Sequence, residues 1–404
     1  MITLTLTGYA HSGDALGRLP DGRACFVPFG IVGEEVSVEI VEEAARFVRA
    51  RLLNVLKPAP TRVAPMCSHF TTCGICRFQH LLPEGQHIAK TDMLRDQLTR
   101  VGKVDAPNIL PLVSTPASYG YRAQIAFPQD EAGRLSLPML ETGLFPVEEC
   151  PVLIDSLADL WPTIELEPIP DLRHIQLRAG VDDEPMLIFN SRDPIPAEFE
   201  VDFPLSAAHV GPDGIFVMSG DESVRVQALG REFQVNAGAS FPPNLPVWDA
   251  MLIEMTQNLP ESIEHALDLF AGVGWCTAAL AERAARVTAI EPSSYDADDL
   301  VVNLGDVDNV ELYEGSPVEV LMNAEIAGAE LVVATPPPAG LGKDLLRVLS
   351  DGPVTTLITL STNHTVLGRD AKMLRQHGWH LEHITPYDGL PQTAHVWSVG
   401  VWVR

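Results

Sequence analysis

The chain has 404 residues, 46% hydrophobic and 20% charged, which is enough apolar material for two or three cores and too evenly mixed for a disordered or fibrous protein. Its N-terminus lacks a basic start followed by an apolar run, and no apolar stretch is long enough to span a bilayer, so a cytoplasmic protein with no membrane partner is expected. A formal net charge of −27 argues against a simple nucleic-acid binder, because phosphate contacts need Lys and Arg. The charge is unevenly spread: residues 1–127 hold 13 Lys+Arg against 11 Asp+Glu, and residues 128–404 hold 14 against 43. Contact with a polyanion is therefore expected in the N-terminal third, where Arg62, Arg77, Lys90, Arg95, Arg100, Lys103 and Arg122 fall.

Residues 1–57 alternate short apolar runs with glycine turns, from Ile2–Leu6 through Glu35–Ile40 to Phe47–Leu56, and predict a small five-stranded barrel of the OB type. Proline at 58, 60 and 65 marks a linker. A helix is expected over Pro83–Val101, with Ile88, Met93, Leu94, Leu98 and Val101 on its apolar face. Residues 161–222 mix strand patterns with Pro- and Asp-rich turns and predict a mixed α/β insert. From Pro246 onward, apolar strands alternate with helical patterns, which implies a parallel, doubly wound sheet. The expected organisation is α/β throughout: a barrel at 1–57, a central α/β region at 58–245 and a Rossmann-like domain at 246–404.

Two constellations carry chemistry. Cys67, Cys73 and Cys76 stand at Cys-x5-Cys-x2-Cys spacing, with Cys150 the best placed fourth thiol, and spacing alone leaves an iron–sulfur cluster and zinc equally open. Cys25 and Cys276 remain as small core residues. Asp268, Phe270, Gly272 and Gly274 follow a strand and precede a helix, and Glu291 ends the next strand. That arrangement suits S-adenosylmethionine: glycine admits the ligand to the backbone and the acid can bind ribose hydroxyls. A dinucleotide competes, but the third glycine of its fingerprint is missing.

The segments Arg62-Val-Ala-Pro-Met-Cys-Ser-His-Phe, Cys-Gly-Ile-Cys-Arg-Phe-Gln-His-Leu81 and Leu390-Pro-Gln-Thr-Ala-His-Val396 resemble the RNA (uracil-5-)-methyltransferase family over nearly the whole chain. Gly17–Pro28 and the Gly33-Glu-Glu-Val-Ser-Val run resemble the TRAM domain, an RNA-binding module that opens many members. The resemblance implies a 4Fe-4S cluster on Cys67, Cys73, Cys76 and Cys150, S-adenosylmethionine at the Asp268–Gly274 turn with Glu291, and rRNA or tRNA as partner. It also exposes departures. Thr362 stands where the family has its nucleophilic cysteine, and Trp397 where it has its glutamate base. Thr335-Pro-Pro-Pro338 replaces Asp-Pro-Pro-Arg, Pro242 replaces a cofactor-contacting glutamine, Trp275 an asparagine and Ser316 an aspartate. No catalytic residue is thus assigned, and the expectation is an RNA-binding pseudoenzyme with weakened cofactor binding. The alternatives are an active methyltransferase using displaced groups or a different target, and a redox sensor built on the cluster. Asp370 and Asp388 are available but read as solvated surface acids, and His364 as a structural histidine.

Overall fold

Strands Ile2–Tyr9, Ala15–Arg18, Ala24–Val27, Phe47–Lys57 and Glu35–Glu43 pair in that order and close into the expected barrel. Its period-two pattern sends Leu4, Leu6, Val36, Val38, Val48 and Ala50 inward around Cys25. The structure is a computed structural model and describes residues 1–181, 184–197, 204–323 and 328–404.

A central sheet runs in the order Gly214–Ser219, Ser206–Gly211, Pro185–Ser191, Leu172–Ala179, Gln124–Phe127, with only the Pro185–Ser191 and Ser206–Gly211 pair parallel. Two hairpins flank it, Ser136–Pro138 with Leu144–Pro146 and Ser223–Ala228 with Arg231–Asn236. The C-terminal sheet has seven strands in the order Val310–Glu314, Ala284–Glu291, Ile263–Leu269, Leu331–Ala334, Thr356–Ser361, Trp397–Val403, His380–Tyr387. Its first five strands are parallel, and Trp397–Val403 runs antiparallel to both of its neighbours, within the Rossmann-like arrangement that alternating helices and apolar strands implied. The helix after the glycine turn spans Trp275–Ala281, and the following strand runs Ala284–Glu291. Among the described residues no helix is long and apolar enough to cross a membrane.

Pro83–Asp96 is an α-helix that opens on proline, whose missing N–H is harmless in a first turn, and it continues as a π-helical turn over Gln97–Val101. Met93, Leu94 and Leu98 are buried as expected, but Ile88 is 62% exposed, while Gln86 and Lys90 are buried. The departure has a polar cause. Gln86 Nε2 donates to the carbonyls of Phe78 and Leu81 and to Gln392 Oε1, and Gln392 N–H donates to Gln86 Oε1. Lys90 Nζ donates to Asp388 Oδ1 and to the Leu390 carbonyl at 2.9 Å. The helix therefore packs its fixed polar partners, as well as its apolar residues, against the C-terminal sheet.

This buried pair supplies a direct test. Lys90→Ala leaves the carboxylate of Asp388, 4% exposed, with only His87 at 3.5 Å for company. Chemical denaturation should register a loss of about 3–5 kcal/mol. A loss under about 1 kcal/mol would mean that the pair contributes no more than a surface ion pair.

Candidate functional site

Strand Ile263–Leu269 delivers Asp268 into the core, and the chain then turns through Phe270, Gly272 and Gly274, whose φ values are 59°, 58° and 97°. Glycine is required at the last two because L side chains rarely adopt that conformation. Asp268 is fully buried; its Oδ2 accepts from Thr277 Oγ1 at 2.6 Å, while Oδ1 has no partner. Glu291 closes the arrangement from strand Ala284–Glu291, accepting the N–H of Gly272 and of Ser293 at 2.7 Å each. Burial pushes both carboxyls up to about 7, and the charge of Glu291 adds to the rise at Asp268. The site residues read from the sequence thus lie together, and the orphan Asp268 oxygen beside a glycine cradle is chemically suited to a cationic, hydrogen-bonding ligand.

The substituted positions reshape this turn. The Trp275 indole is buried against Phe233, ring centroids 4.6 Å apart, and lies 3.7 Å from where a Cβ on Gly272 would stand. Asp296, absent from the sequence reading, borders the same gap at 3.9 Å and accepts the N–H of Ser240 at 3.0 Å. Arg178, fully buried, donates to the carbonyls of Asn236 and Ala239, so the loop leading to Pro242 is held from both sides.

Thr362, where the resemblance would put a nucleophile, sits half-buried between strand Thr356–Ser361 and helix His364–Gln376. Among the described residues none hydrogen-bonds its hydroxyl; its neighbour Asn363 caps the helix by accepting the N–H of Thr365 and Val366. His364 turns away, donating from Nε2 to the His11 carbonyl at 3.2 Å, and burial lowers its pKa to about 4. At the base position, Trp397 is 2% exposed, edge-on to Trp248 at 6.5 Å and so close to Gly389 that a Cβ there would lie 2.0 Å from the indole. Thr335 directs its hydroxyl to Cys276 Sγ at 3.9 Å.

Two expectations are corrected here. Asp370 and Asp388 are buried, not solvated, at 4% and 3% exposure. Asp370 Oδ2 accepts the N–H of Leu341 at 2.9 Å and anchors the loop after the three prolines; Asp388 answers Lys90. Both work as structural acceptors, and neither reaches Thr362.

Cys67, Cys73, Cys76 and Cys150 line one cavity, together with Gln79 and Glu149. The hairpin Ser136–Pro138/Leu144–Pro146 brings the fourth cysteine in: Gly74 N–H donates to the Pro138 carbonyl at 2.9 Å, and Ser68 N–H to Glu149 Oε1 at 3.1 Å. Gln79 Oε1 accepts the N–H of Cys67 at 3.0 Å. Burial, with a smaller part from neighbouring thiolates, pushes the Cys76 thiol up to about 12 and that of Cys150 to about 11; Cys67 and Cys73 act on both. Four thiols that disfavour one another's ionisation fit a cationic centre, which binds thiolates in place of protons. Among the described residues, no three His, Cys, Asp or Glu side chains converge closely enough to hold a single ion.

The expected basic cluster is largely neutralised by its own neighbours. Arg62 gives its guanidinium to Glu34 at 2.6 and 2.7 Å, Arg77 pairs with Asp14 at 3.0 Å, and Arg95 and Arg100 pair with Asp92 and Asp96 at 2.8 Å. A cleft of about 1260 Å3, open to solvent, lies where barrel, cysteine loop and C-terminal sheet meet. His11, Arg77, His364, Arg369 and His395 line it, and among the described residues no Asp or Glu does. Sequence reading missed His11, Arg369 and His395 because they gather only through tertiary contact.

The raised carboxyl of Asp268 predicts a pH effect. With a folded pKa near 7 and an unfolded value of about 4, it contributes fully below pH 4, and its contribution is lost as pH rises toward 7. Asp268→Asn cannot ionise, so its unfolding free energy relative to the unaltered chain should improve as pH rises from about 4 to 7 and level off above that. Parallel curves in urea titrations would contradict the assignment.

Residues 1–53 match the TRAM domain family. The chain is 29% identical to the 23S rRNA (uracil(1939)-C(5))-methyltransferase of Chromohalobacter salexigens, covering 99% of this chain and 89% of that protein. It is 27% identical to an uncharacterized RNA methyltransferase of Streptomyces coelicolor, covering 97% and 90%. In fold it matches the Pyrococcus abyssi tRNA (uracil-54, C5)-methyltransferase solved with S-adenosyl-L-homocysteine, with a TM-score of 0.73 over the whole of both chains at 21% identity.

Proposed function

We propose, on the premise that this chain belongs to the RNA (uracil-5-)-methyltransferase family, that it binds RNA and S-adenosylmethionine but has lost uracil-5 methylation. The observation that carries the reading is Trp397. Uracil C5 chemistry needs a nucleophile to open the ring to substitution and a base to take the departing proton. An indole buried against Gly389 and Trp248 accepts no proton, and no carboxylate bonds to the Thr362 hydroxyl among the described residues.

Asp268, Phe270, Gly272, Gly274 and Glu291 are the residues that would hold S-adenosylmethionine, which supplies an electrophilic methyl group when bound. RNA is accommodated in the acid-free cleft, against the barrel's His11 and the C-terminal Arg369, where a strand is screened from the acidic remainder of the surface. The cavity ringed by four cysteines supports the 4Fe-4S reading, with Cys67, Cys73, Cys76 and Cys150 as ligands. Such a cluster would tie the three-cysteine loop to the segment carrying Cys150.

Incubation with labelled S-adenosylmethionine and unmodified rRNA or tRNA should leave uracil C5 unlabelled. Label at that carbon overturns the reading. Thr362→Cys combined with Trp397→Glu should melt at a lower temperature instead of gaining activity, because the new carboxylate enters a buried apolar site without a partner. Anaerobic preparations should contain about four irons per chain, with the brown colour lost in Cys150→Ala. Stoichiometric zinc without iron would contradict the cluster.

A further inference from the structure

The cofactor turn has lost two of the family's neutral hydrogen-bonding side chains, at Pro242 and Trp275, yet it has a surplus of carboxylates. Asp296 opens helix Ser294–Asn303 at 2% exposure. Its Oδ1 stands 3.9 Å from the position of a Gly272 Cβ, so it borders the gap that glycine leaves for a ligand. Ser240 fixes it there through its N–H at 3.0 Å and Oγ at 3.4 Å. Asp268 offers an oxygen with no partner, and Glu291 faces the same turn. Arg178 is the counter-charge acting on Asp296 and Asp299, but its N–H groups go to the carbonyls of Asn236 and Ala239 and its plane lies 4.7 Å from the Phe241 ring centroid. Negative charge at the turn is therefore under-compensated in a low-dielectric setting, where an incoming positive charge is attracted more strongly than in water.

Building on the cofactor reading above, we propose that Asp296 joins Asp268 and Glu291 in selecting for positive charge. The turn then holds the sulfonium S-adenosylmethionine in preference to its neutral thioether product, S-adenosylhomocysteine. The two ligands differ by one methyl group and one unit of charge, so hydrogen bonds to ribose and adenine cannot tell them apart and a nearby carboxylate can. Burial holds Asp268 and Glu291 up to about 7, the charge of Glu291 adding to the rise at Asp268 and that of Asp296 to the rise at Glu291, consistent with carboxyls that ionise more fully once a cation is beside them.

Calorimetric titration of the full chain at pH 7.5 with S-adenosylmethionine, S-adenosylhomocysteine and sinefungin, whose amine replaces the sulfonium, tests this. The two cationic ligands should bind about tenfold more tightly than the thioether, about 1.4 kcal/mol. Asp296→Asn retains an acceptor for Ser240, and it should bring the ratio toward one without changing the melting temperature by more than a few degrees. Glu291→Gln should narrow the ratio independently. Equal or tighter binding of the thioether by the unaltered chain overturns charge selection and leaves the cofactor reading standing. An undiminished ratio in Asp296→Asn overturns the role of that residue. Failure of all three ligands to bind overturns the cofactor reading and this inference with it.

Discussion

The buried ion pair of Lys90 and Asp388 sits where every part of the chain converges. Segment 388–397 receives Lys90 and Gln86 from the helix, the N–H groups of Arg77 and Phe78 from the cysteine region at the Gln392 carbonyl, and the Tyr121 hydroxyl from the central region at the Pro391 carbonyl. Asn244, which caps the first helix of the C-terminal domain, donates to the Gly389 carbonyl at 2.9 Å. A lysine with no exposed side-chain surface is tolerable only because its carboxylate and carbonyl acceptors are fixed in place.

Beside that junction stands Trp397, at the position where the resemblance would put a base. Trp397 begins the strand that leaves segment 388–396, and it fills space bounded by Trp248 and by a glycine that admits no side chain. Trp275 fills the cofactor side in the same manner against Phe233. Both indoles bury aromatic area, which stabilises the core. Neither indole lines the cysteine cavity or the cleft of His11 and Arg369.

Much of this was legible in the sequence, for identifiable reasons. The barrel and the doubly wound sheet follow from periodicity, and the glycine turn from residues whose φ demands glycine. Local pattern reached less far where partners are distant in sequence. Lys90 and Gln86 look like solvent-facing residues until Asp388 and Gln392, about 300 positions away, are brought to them. Asp370 looks like a surface acid until the 341 amide turns toward it. The basic residues of the N-terminal third are visible as charges, but their pairing with Glu34, Asp14, Asp92 and Asp96 is not. The cleft joining His11 to Arg369 is a product of assembly alone. Asp296 escaped notice because its role depends on the gap beside Gly272, a property of three-dimensional packing.

We propose that this chain keeps the frame of a uracil-5 methyltransferase without its chemistry. Nucleoside mass spectrometry of rRNA and tRNA, from source cells with the coding sequence intact and from cells with it deleted, tests that most directly. Unchanged 5-methyluridine at every position is the expected result. Loss of one 5-methyluridine, restored by the unaltered coding sequence, would contradict it.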